Sequence, residues 1–457
     1  MTPREVVETA LAAAGARGTE VVAILDEVSS AHVRWARNAF TTNGIADDRR
    51  LTVVALGAGR PPGVATVSGA LTGEAVTAIV AAADAARGRG DEPEPPPPVT
   101  TDEGDGWARP PAAPAAGGLP TFAARLAASF RSAAAASHSL HGYAEQRTRT
   151  TYVASSAGLR RRHEESSALL DHTVRSTDGT ASTWTGTTAR ELSQLDLDAA
   201  YDGARRRLGW WRRRVALPTG EYEVLLTPSC VADLMLRLYK AADARATLDG
   251  RTVFAADGGG TRAGERLAPA PLTLHSDPRK PGLECAPFTV ARGTGAASVY
   301  DNGLPLTRTG WIDRGVLSTL VGGRQVAAGG VPAAPEIGNL VLSAEGGGVG
   351  TLDELVARTA RGLLVTSLWY LREVDPRSLL LTGLTRDGVY LVEDGEVRAA
   401  TNPFRFNASP LDVLARVREA GRTEPTLPRE HDESTPRTAM PPLRVAGFAM
   451  SAVSDAV

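Results

Sequence analysis

The sequence predicts an α+β protein with an N-terminal α/β domain, a middle helix followed by a β-meander, and a C-terminal domain built on a large curved or barrel-like β-sheet with a few helices. Three observations predict it. The 457 residues, 42% hydrophobic and 22% charged, suffice for two or three globular domains at roughly 100–200 residues each. Residues 1–90 mix helical and strand-like apolar spacing. Beyond residue 216, short apolar runs divided by Gly clusters dominate. The composition changes place boundaries at 1–90, a Pro-rich linker or loop at 91–119, then 120–215 and 216–457.

Taken in order, Thr2-Pro3-Arg4-Glu5 is a capping box with Pro at the first helical position, and Val6, Val7, Ala10 and Leu11 give one apolar face as far as Gly15. Val21–Asp26, Val33–Phe40 and Leu51–Leu56 read as strands separated by polar turns such as Thr42-Asn43-Gly44. Thr72 caps a helix over Gly73–Arg87. The run Glu94-Pro95-Pro96-Pro97-Pro98 favours extended, solvated chain. A helix over Pro120–Ser137 leads into an alternating stretch from Tyr143 to Gly186. That stretch is broken at Ser155-Ser156-Ala157-Gly158 and Thr177-Asp178-Gly179, both turn sequences, so it reads as a meander. A helix over Leu195–Arg207 closes the segment. Tyr222–Leu226 then opens the β-rich part, which is interrupted by helices starting at Thr227-Pro228 (to about Ala244), at the capping box Thr351–Glu354, and at Ser409-Pro410 (to Gly421). Arg422–Pro442 is polar and Pro-rich, and Leu443–Val453 is a final strand.

A net charge of -2 lacks the basic excess of a nucleic-acid binder. The chain begins directly in an amphipathic helix without a signal-peptide layout, and no run approaches the length of a membrane span, so the expected location is the cytoplasm with no membrane partner. Two cysteines, Cys230 and Cys285, exclude a disulfide scaffold and fit a reducing compartment.

The chemistry-bearing patterns weaken on inspection. His163-Glu164-Glu165 and His172 suggest a zinc-peptidase pair, but the two imidazoles are nine residues apart. That spacing puts them about 180° apart on a helix and on opposite faces of a strand. Ala154–Gly158 approaches a nucleophile elbow around Ser156, yet lacks the first Gly and the helix that should follow. Cys285 with His275 and Asp277 has the residue types of a thiol-base couple, and inert packing is the simpler reading. Gly258-Gly259-Gly260 and Gly346-Gly347-Gly348 lack the Lys-Ser/Thr of a phosphate loop. Arg205–Arg207, Trp210-Trp211 and Arg212–Arg214 read as a helix end at a domain junction.

Several stretches together resemble the TldD/PmbA (TldE) peptidase family over nearly the whole chain. They are Val33–Phe40 through Asn43, Val153–Gly158, Val299-Tyr300-Asp301-Asn302-Gly303-Leu304-Pro305, Gly362–Thr366, Tyr390–Glu396 and Asn402–Leu411. The Arg405-Phe406-Asn407-Ala408-Ser409-Pro410 element is similar to the TldE side of the family. The zinc-bearing TldD subunits carry H-E-x-x-x-H on the helix after the first strand of the last domain. The corresponding helix here, Thr227–Arg237, has no His, and apolar residues are expected where the ligands would be. The resemblance implies a zinc-less subunit with no catalytic, cofactor or metal residues of its own. It would be active as a hetero-oligomer or dimer with a TldD-like zinc peptidase, trimming unfolded peptides such as natural-product precursors. A standalone peptide-binding or assembly protein is the alternative. Arg405, Phe406, Asn407 and Ser409 are the candidate groove or family-motif positions, with a helix start capped by Ser409 as the simpler reading.

Overall fold

The computed structural model describes residues 1–57, 60–88, 99–100, 106–110, 115–293, 297–432 and 435–454. The Glu94–Pro98 run and most of the 91–119 segment lie outside the described residues.

Helix α1, Pro3–Gly15, starts as its capping box dictates: Glu5 N–H donates to Thr2 Oγ1 at 3.3 Å and Thr2 N–H to Glu5 Oε2 at 2.8 Å. The strands that follow are longer than their apolar runs. Strand β1 spans Glu20–Ala36 and β2 spans Ala39–Leu56. The turn expected at Thr42-Asn43-Gly44 is instead strand, with Val33, Arg34 and His32 opposite Asn43, Thr42 and Gly44. The chain reverses at Arg37-Asn38, both at positive φ (52° and 60°), a two-residue loop whose twist matches the flanking strands. Strand β3 (Gly63–Ser68) and helix α2 (Gly73–Ala85, capped by Thr72) complete residues 1–90.

Helix α3 (Leu119–Ala135) leads into the meander β4 (His138–Ser155), β5 (Arg160–Ser176) and β6 (Ser182–Ala189), with turns where the sequence places them. Helix α4 spans Leu197–Trp210. The six strands form one antiparallel sheet in the order β3-β2-β1-β4-β5-β6, so 1–90 and 120–215 contribute to the same sheet. Alternation then assigns its faces. Val21, Ala23, Leu25, Val53 and Tyr152 pack against α1 and α2, while Val33, Leu140, Leu170 and Val174 pack against α3 and α4. On the opposite face Val22, Ile24, Val54 and Val153 pack on Phe288, Ala291, Val299 and Tyr300 of the C-terminal part.

That part holds two larger sheets among the described residues, and neither closes into a barrel. One runs in the order 368–375, 380–385, 404–408, 443–453, 220–226, 361–365, 389–393, 396–401, 214–215, with 417–420 paired to 443–453. The other runs 316–317, 309–313, 272–276, 339–344, 437–440, 424–426. The polar Arg422–Pro442 stretch therefore supplies two strands. Helix α5, Pro228–Ala241, lies between the sheets in the main core, touching Val224, Leu226 and Val365 of the first and Leu274 and Leu340 of the second. It ends before Ala244, where a separate short helix, Ala244–Leu248, begins. The helix after Ser409 spans only Pro410–Ala415 and gives way to strand Val417–Ala420, ahead of Gly421.

Candidate functional site

Strands β4 and β5 carry polar residues at alternate positions beyond the apolar patch that docks the C-terminal part. Arg147 faces Ser167 and Arg149 faces Glu165 across the ladder. Opposite them lie residues 427–432 and 435–437. Together these walls enclose three adjoining cavities. The first, about 350 Å³, is lined by Arg149, His163, Glu165, Cys285, Arg292 and Arg437. The second, about 290 Å³, shares Arg147, Ser167 and Arg437 with it and extends to Tyr143 and His431. The third, about 640 Å³, shares His431 and Pro436 with the second and reaches the side of α5 at Asp233, Arg237 and Lys240.

Most charges in this cleft are spoken for. Arg292 donates to both oxygens of Asp26 at 2.6 Å, Arg437 meets Glu165 at 3.1 Å and the carbonyl of Glu284, and Arg147 meets Glu145 at 3.1 Å. Burial pushes the Glu165 carboxyl up, but His163 and Arg437 outweigh it and hold it below the usual carboxylate range.

Arg429 is the most enclosed cation of the cleft. Its guanidinium lies between the rings of Trp184 (4.6 Å) and Trp369 (5.0 Å) and bonds Asp387 at 3.3 Å. Trp184 in turn donates to Asp171 at 2.8 Å and Ser182 to Asp387 at 2.6 Å. Arg429 thus ties β5 and β6 to the C-terminal sheets.

The side of α5 that reaches the cleft is polar, contrary to the apolar replacement expected from sequence. Ser229, Asp233 and Arg237 recur every fourth residue, hence on one face. Ser229 donates to the carbonyl of Leu427 at 2.8 Å, Asp233 Oδ1 accepts from the N–H of Glu430 at 3.2 Å, and Arg237 pairs with Glu430 at 3.0 Å. The spacing was visible in the sequence; what it held was not, because Leu427 and Glu430 lie nearly 200 residues away.

The residues singled out earlier fall as follows. His163 and His172 point to opposite faces of β5: His163 lines the cleft 3.8 Å from Glu165, whereas His172 is buried against Trp35 under α3 and α4. Ser156 Oγ accepts from the N–H of Val21 at 3.1 Å and serves a turn. Cys285 lines the cleft wall, but burial pushes its thiol up to about 12, and burial pushes His275 down to about 4. Asp277 accepts from the N–H of Arg279 at 2.9 Å, closing a local turn.

Gly258-Gly259-Gly260 and Gly346-Gly347-Gly348 all sit at positive φ in loops. Arg206 pairs with Asp353 and Trp210 stacks edge-on against Tyr390 at 4.9 Å, so the basic-aromatic run is a junction between α4 and the C-terminal part. Arg405, Phe406 and Asn407 lie on the central strand Phe404–Ala408, paired on both edges, with Phe406 in the core and Arg405 and Asn407 outward. The Ser409 hydroxyl does not cap the helix; it donates to the carbonyl of Ser378 at 2.8 Å. None of these four lines the three cavities.

These features, a helix-backed sheet closed against a two-sheet body by a cleft above α5, define a class of two-part α+β proteins with solved representatives. Residues 219–452 match the C-terminal domain of the PmbA/TldA metallopeptidases, and the chain belongs to the PmbA/TldD family. Three similar structures are TldE from Thermococcus kodakarensis (TM-score 0.75, 16% identity, 98% of this chain and 99% of that chain), a proposed modulator of a DNA gyrase from Thermotoga maritima (0.77, 16%, 98% and 100%), and another from Bacteroides thetaiotaomicron (0.71, 16%, 98% and 99%). At this identity they establish the fold. No curated protein matches the sequence. Among the described residues no helix is long and apolar enough to cross a membrane.

A zinc ion does not fit α5. The Cys230 thiol is buried, faces Thr227 and the carbonyl of Val365, and is pushed up to about 12 by that burial. Asp233 is hydrogen-bonded beneath Glu430, and Arg237 brings a positive charge to the same face. Among the described residues no three His, Cys, Asp or Glu side chains gather closely enough to hold a metal.

Proposed function

We propose that the chain is a zinc-less, TldE-like subunit that acts in the cytoplasm with a TldD-like zinc peptidase, the partner supplying the metal and this chain part of the enclosure that holds unfolded peptide. The observation that carries the reading is the face of α5. The helix that bears H-E-x-x-x-H in metal-binding relatives here uses Ser229, Asp233 and Arg237 to fasten residues 427–430 over itself. A zinc site needs three protein ligands with an open fourth position, and this face is committed to structure. The three adjoining cavities favour an extended chain as occupant, because a groove of linked pockets takes successive side chains of one peptide. Trimming of peptide natural-product precursors is the activity of the assembly, not of this subunit by itself.

The experiment measures zinc content and hydrolysis of an unfolded peptide by the purified chain, by an H-E-x-x-x-H homologue encoded beside it, and by the two co-purified. The reading expects zinc and activity only where the homologue is present, with this chain raising the activity. Stoichiometric zinc and cleavage by the chain alone overturn it. Peptide binding without co-purification or stimulation favours a standalone binding protein.

A further inference from the structure

The largest of the three cavities contains a strained stretch of strand that leans on the residues fastening 427–430 and takes no part in joining the two parts of the chain. In strand Leu368–Asp375 the register slips between Trp369 and Arg372, which face Leu384 and Thr382. The one extra residue is a β-bulge, a device that re-aims side chains. Within it Tyr370 adopts a φ of 58°. An aromatic residue in the left-handed region carries a cost of about 1 kcal/mol or more and persists only where neighbours hold it. They do so here: the Leu371 N–H donates to Glu430 Oε1 at 2.9 Å, and Arg237, paired with Glu430, reaches the carbonyl of Leu371 at 3.4 Å. The result is a tyrosine ring 50% exposed at the cavity wall with the Arg372 guanidinium stacked on it at 4.0 Å.

The charges around this cavity come from several elements. Asp171 on β5 accepts from Trp184 and faces Arg429. Glu430 is held by Arg237 and by the Leu371 N–H, and Asp432 by Thr435. His431 Nδ1 lies 3.3 Å from the carbonyl of Pro428. Two cations are left without an ion pair among the described residues. Lys240 is exposed at the end of α5, its nearest electrostatic effect being on Glu336. Arg372 is exposed and donates only to the carbonyl of Leu371.

Asp233, 4% exposed, lines the same cavity, and its Oδ2 has no partner among the described residues. Burial pushes this carboxyl up to about 8 despite the N–H groups of Arg429 and Glu430, and Oδ2 is closed off behind the cavity wall, out of reach of an occupant. A cavity with two spare cations and an aromatic wall suits an anion on an aliphatic stem.

We infer that the cavity beside α5 is a carboxylate subsite, in which Lys240 and Arg372 balance the charge of a peptide carboxylate and Tyr370 walls its aliphatic stem. The inference rests on the peptide-holding reading and names the substrate class more narrowly. The carboxylate comes either from the C-terminus of the peptide or from an Asp or Glu side chain, and the two sources share this chemistry.

The test uses the full chain and three fluorescein-labelled, unstructured Gly/Ser peptides: one with a free C-terminus, one amidated, and one amidated but carrying an internal Glu. Binding is read by anisotropy. The free-acid peptide is expected to bind about tenfold more tightly than the neutral amide, roughly the worth of one charge-assisted contact. Lys240→Ala and Arg372→Ala, both exposed positions that leave the fold intact, abolish that difference. Whether the Glu peptide groups with the free acid or with the amide decides the source. Equal binding of all three peptides overturns the subsite and leaves the peptide-holding reading standing. Absence of binding by any of them overturns both.

Discussion

The guanidinium of Arg292 bonds both carboxylate oxygens of Asp26 at 2.6 Å, joining β1 to the C-terminal part across 266 residues of chain. Thr151 adds a third bond to Asp26 at 2.7 Å. Burial pushes the Asp26 carboxyl up, but Arg292 and Thr151 outweigh it and hold it below its ordinary value. The pair therefore stabilises the fold above the unfolded carboxyl value of about 3.9, and that contribution is lost as pH falls through the folded value. Arg292→Ala leaves a buried carboxylate with one hydroxyl. The expected cost is about 2 kcal/mol, reduced from the usual buried-pair penalty because Arg292 keeps 36% of its side chain in water. Urea unfolding checks it, and the double variant Asp26→Asn/Arg292→Ala is expected to recover part of the loss.

Arg429 is held more tightly, with 11% of its side chain exposed between two indole rings. Arg429→Ala leaves Asp387 short of a counter-charge and opens a gap between Trp184 and Trp369, for an expected loss of about 3 kcal/mol. Arg429→Lys keeps the charge without the planar stack and is expected to recover less than half. Thermal unfolding gives the stability, and a shift in tryptophan emission reports separation of the rings. Unchanged emission together with full stability in Arg429→Ala would remove the latch from the account.

What the sequence disclosed depended on how local the determining contacts are. Thr2 and Thr351 with their Glu partners, the turns at Ser155–Gly158 and Thr177–Gly179, and the strand Leu443–Val453 are fixed within a few residues, and each is found where its pattern places it. The polar middles of β1 and β2 were illegible because solvent-facing strand has no apolar signature. Thr42-Asn43-Gly44 has turn composition, yet tertiary pairing with β1 holds it extended. The opposite placement of His163 and His172 followed from parity alone. The cleft was beyond reach, since Arg429, Glu430 and Arg437 acquire meaning only against Trp184, Asp233 and Glu165, 197 to 272 residues away.

Asn38 explains why the chain turns where it does. At φ 60° it occupies a conformation that Asn tolerates, and its side chain continues the ladder by donating to the carbonyl of His138 at 2.8 Å and accepting from the N–H of Leu140 at 2.7 Å. Asn38→Ala loses both bonds and adds backbone strain, an expected cost of about 2–3 kcal/mol. Asn38→Gly loses the bonds but not the conformation and is expected to fall about 1 kcal/mol short of that. Equal losses in urea unfolding would show that backbone conformation contributes nothing at this turn.

The pH dependence of stability is set in opposite directions by two buried groups. His172, 3% exposed with neither ring nitrogen bonded among the described residues, is pushed down to about 4 by burial and then by His141. The unfolded chain takes up its proton near pH 6.5 while the folded chain refuses it, so stability falls between about 6.5 and 4, by up to about 3 kcal/mol. Asp233 acts the other way. Its folded carboxyl, raised to about 8, keeps a proton that the unfolded chain has released above about 4, so stability falls as pH rises through that interval and levels off beyond 8. Between about pH 4 and 6.5 the two slopes oppose and largely cancel, so melting temperatures measured across pH 4–9 are expected to stay level to about 6.5 and to fall from there to about 8. His172→Phe is expected to extend the fall over the whole interval from about pH 4 to 8. Asp233→Asn, which keeps an acceptor for the Glu430 N–H, is expected to remove the fall above about pH 6.5, to leave a rise between about 4 and 6.5, and to melt higher than wild type at pH 8. An Asp233→Asn profile that still declines toward pH 8 would assign that limb to another group and return Asp233 to the ionised state.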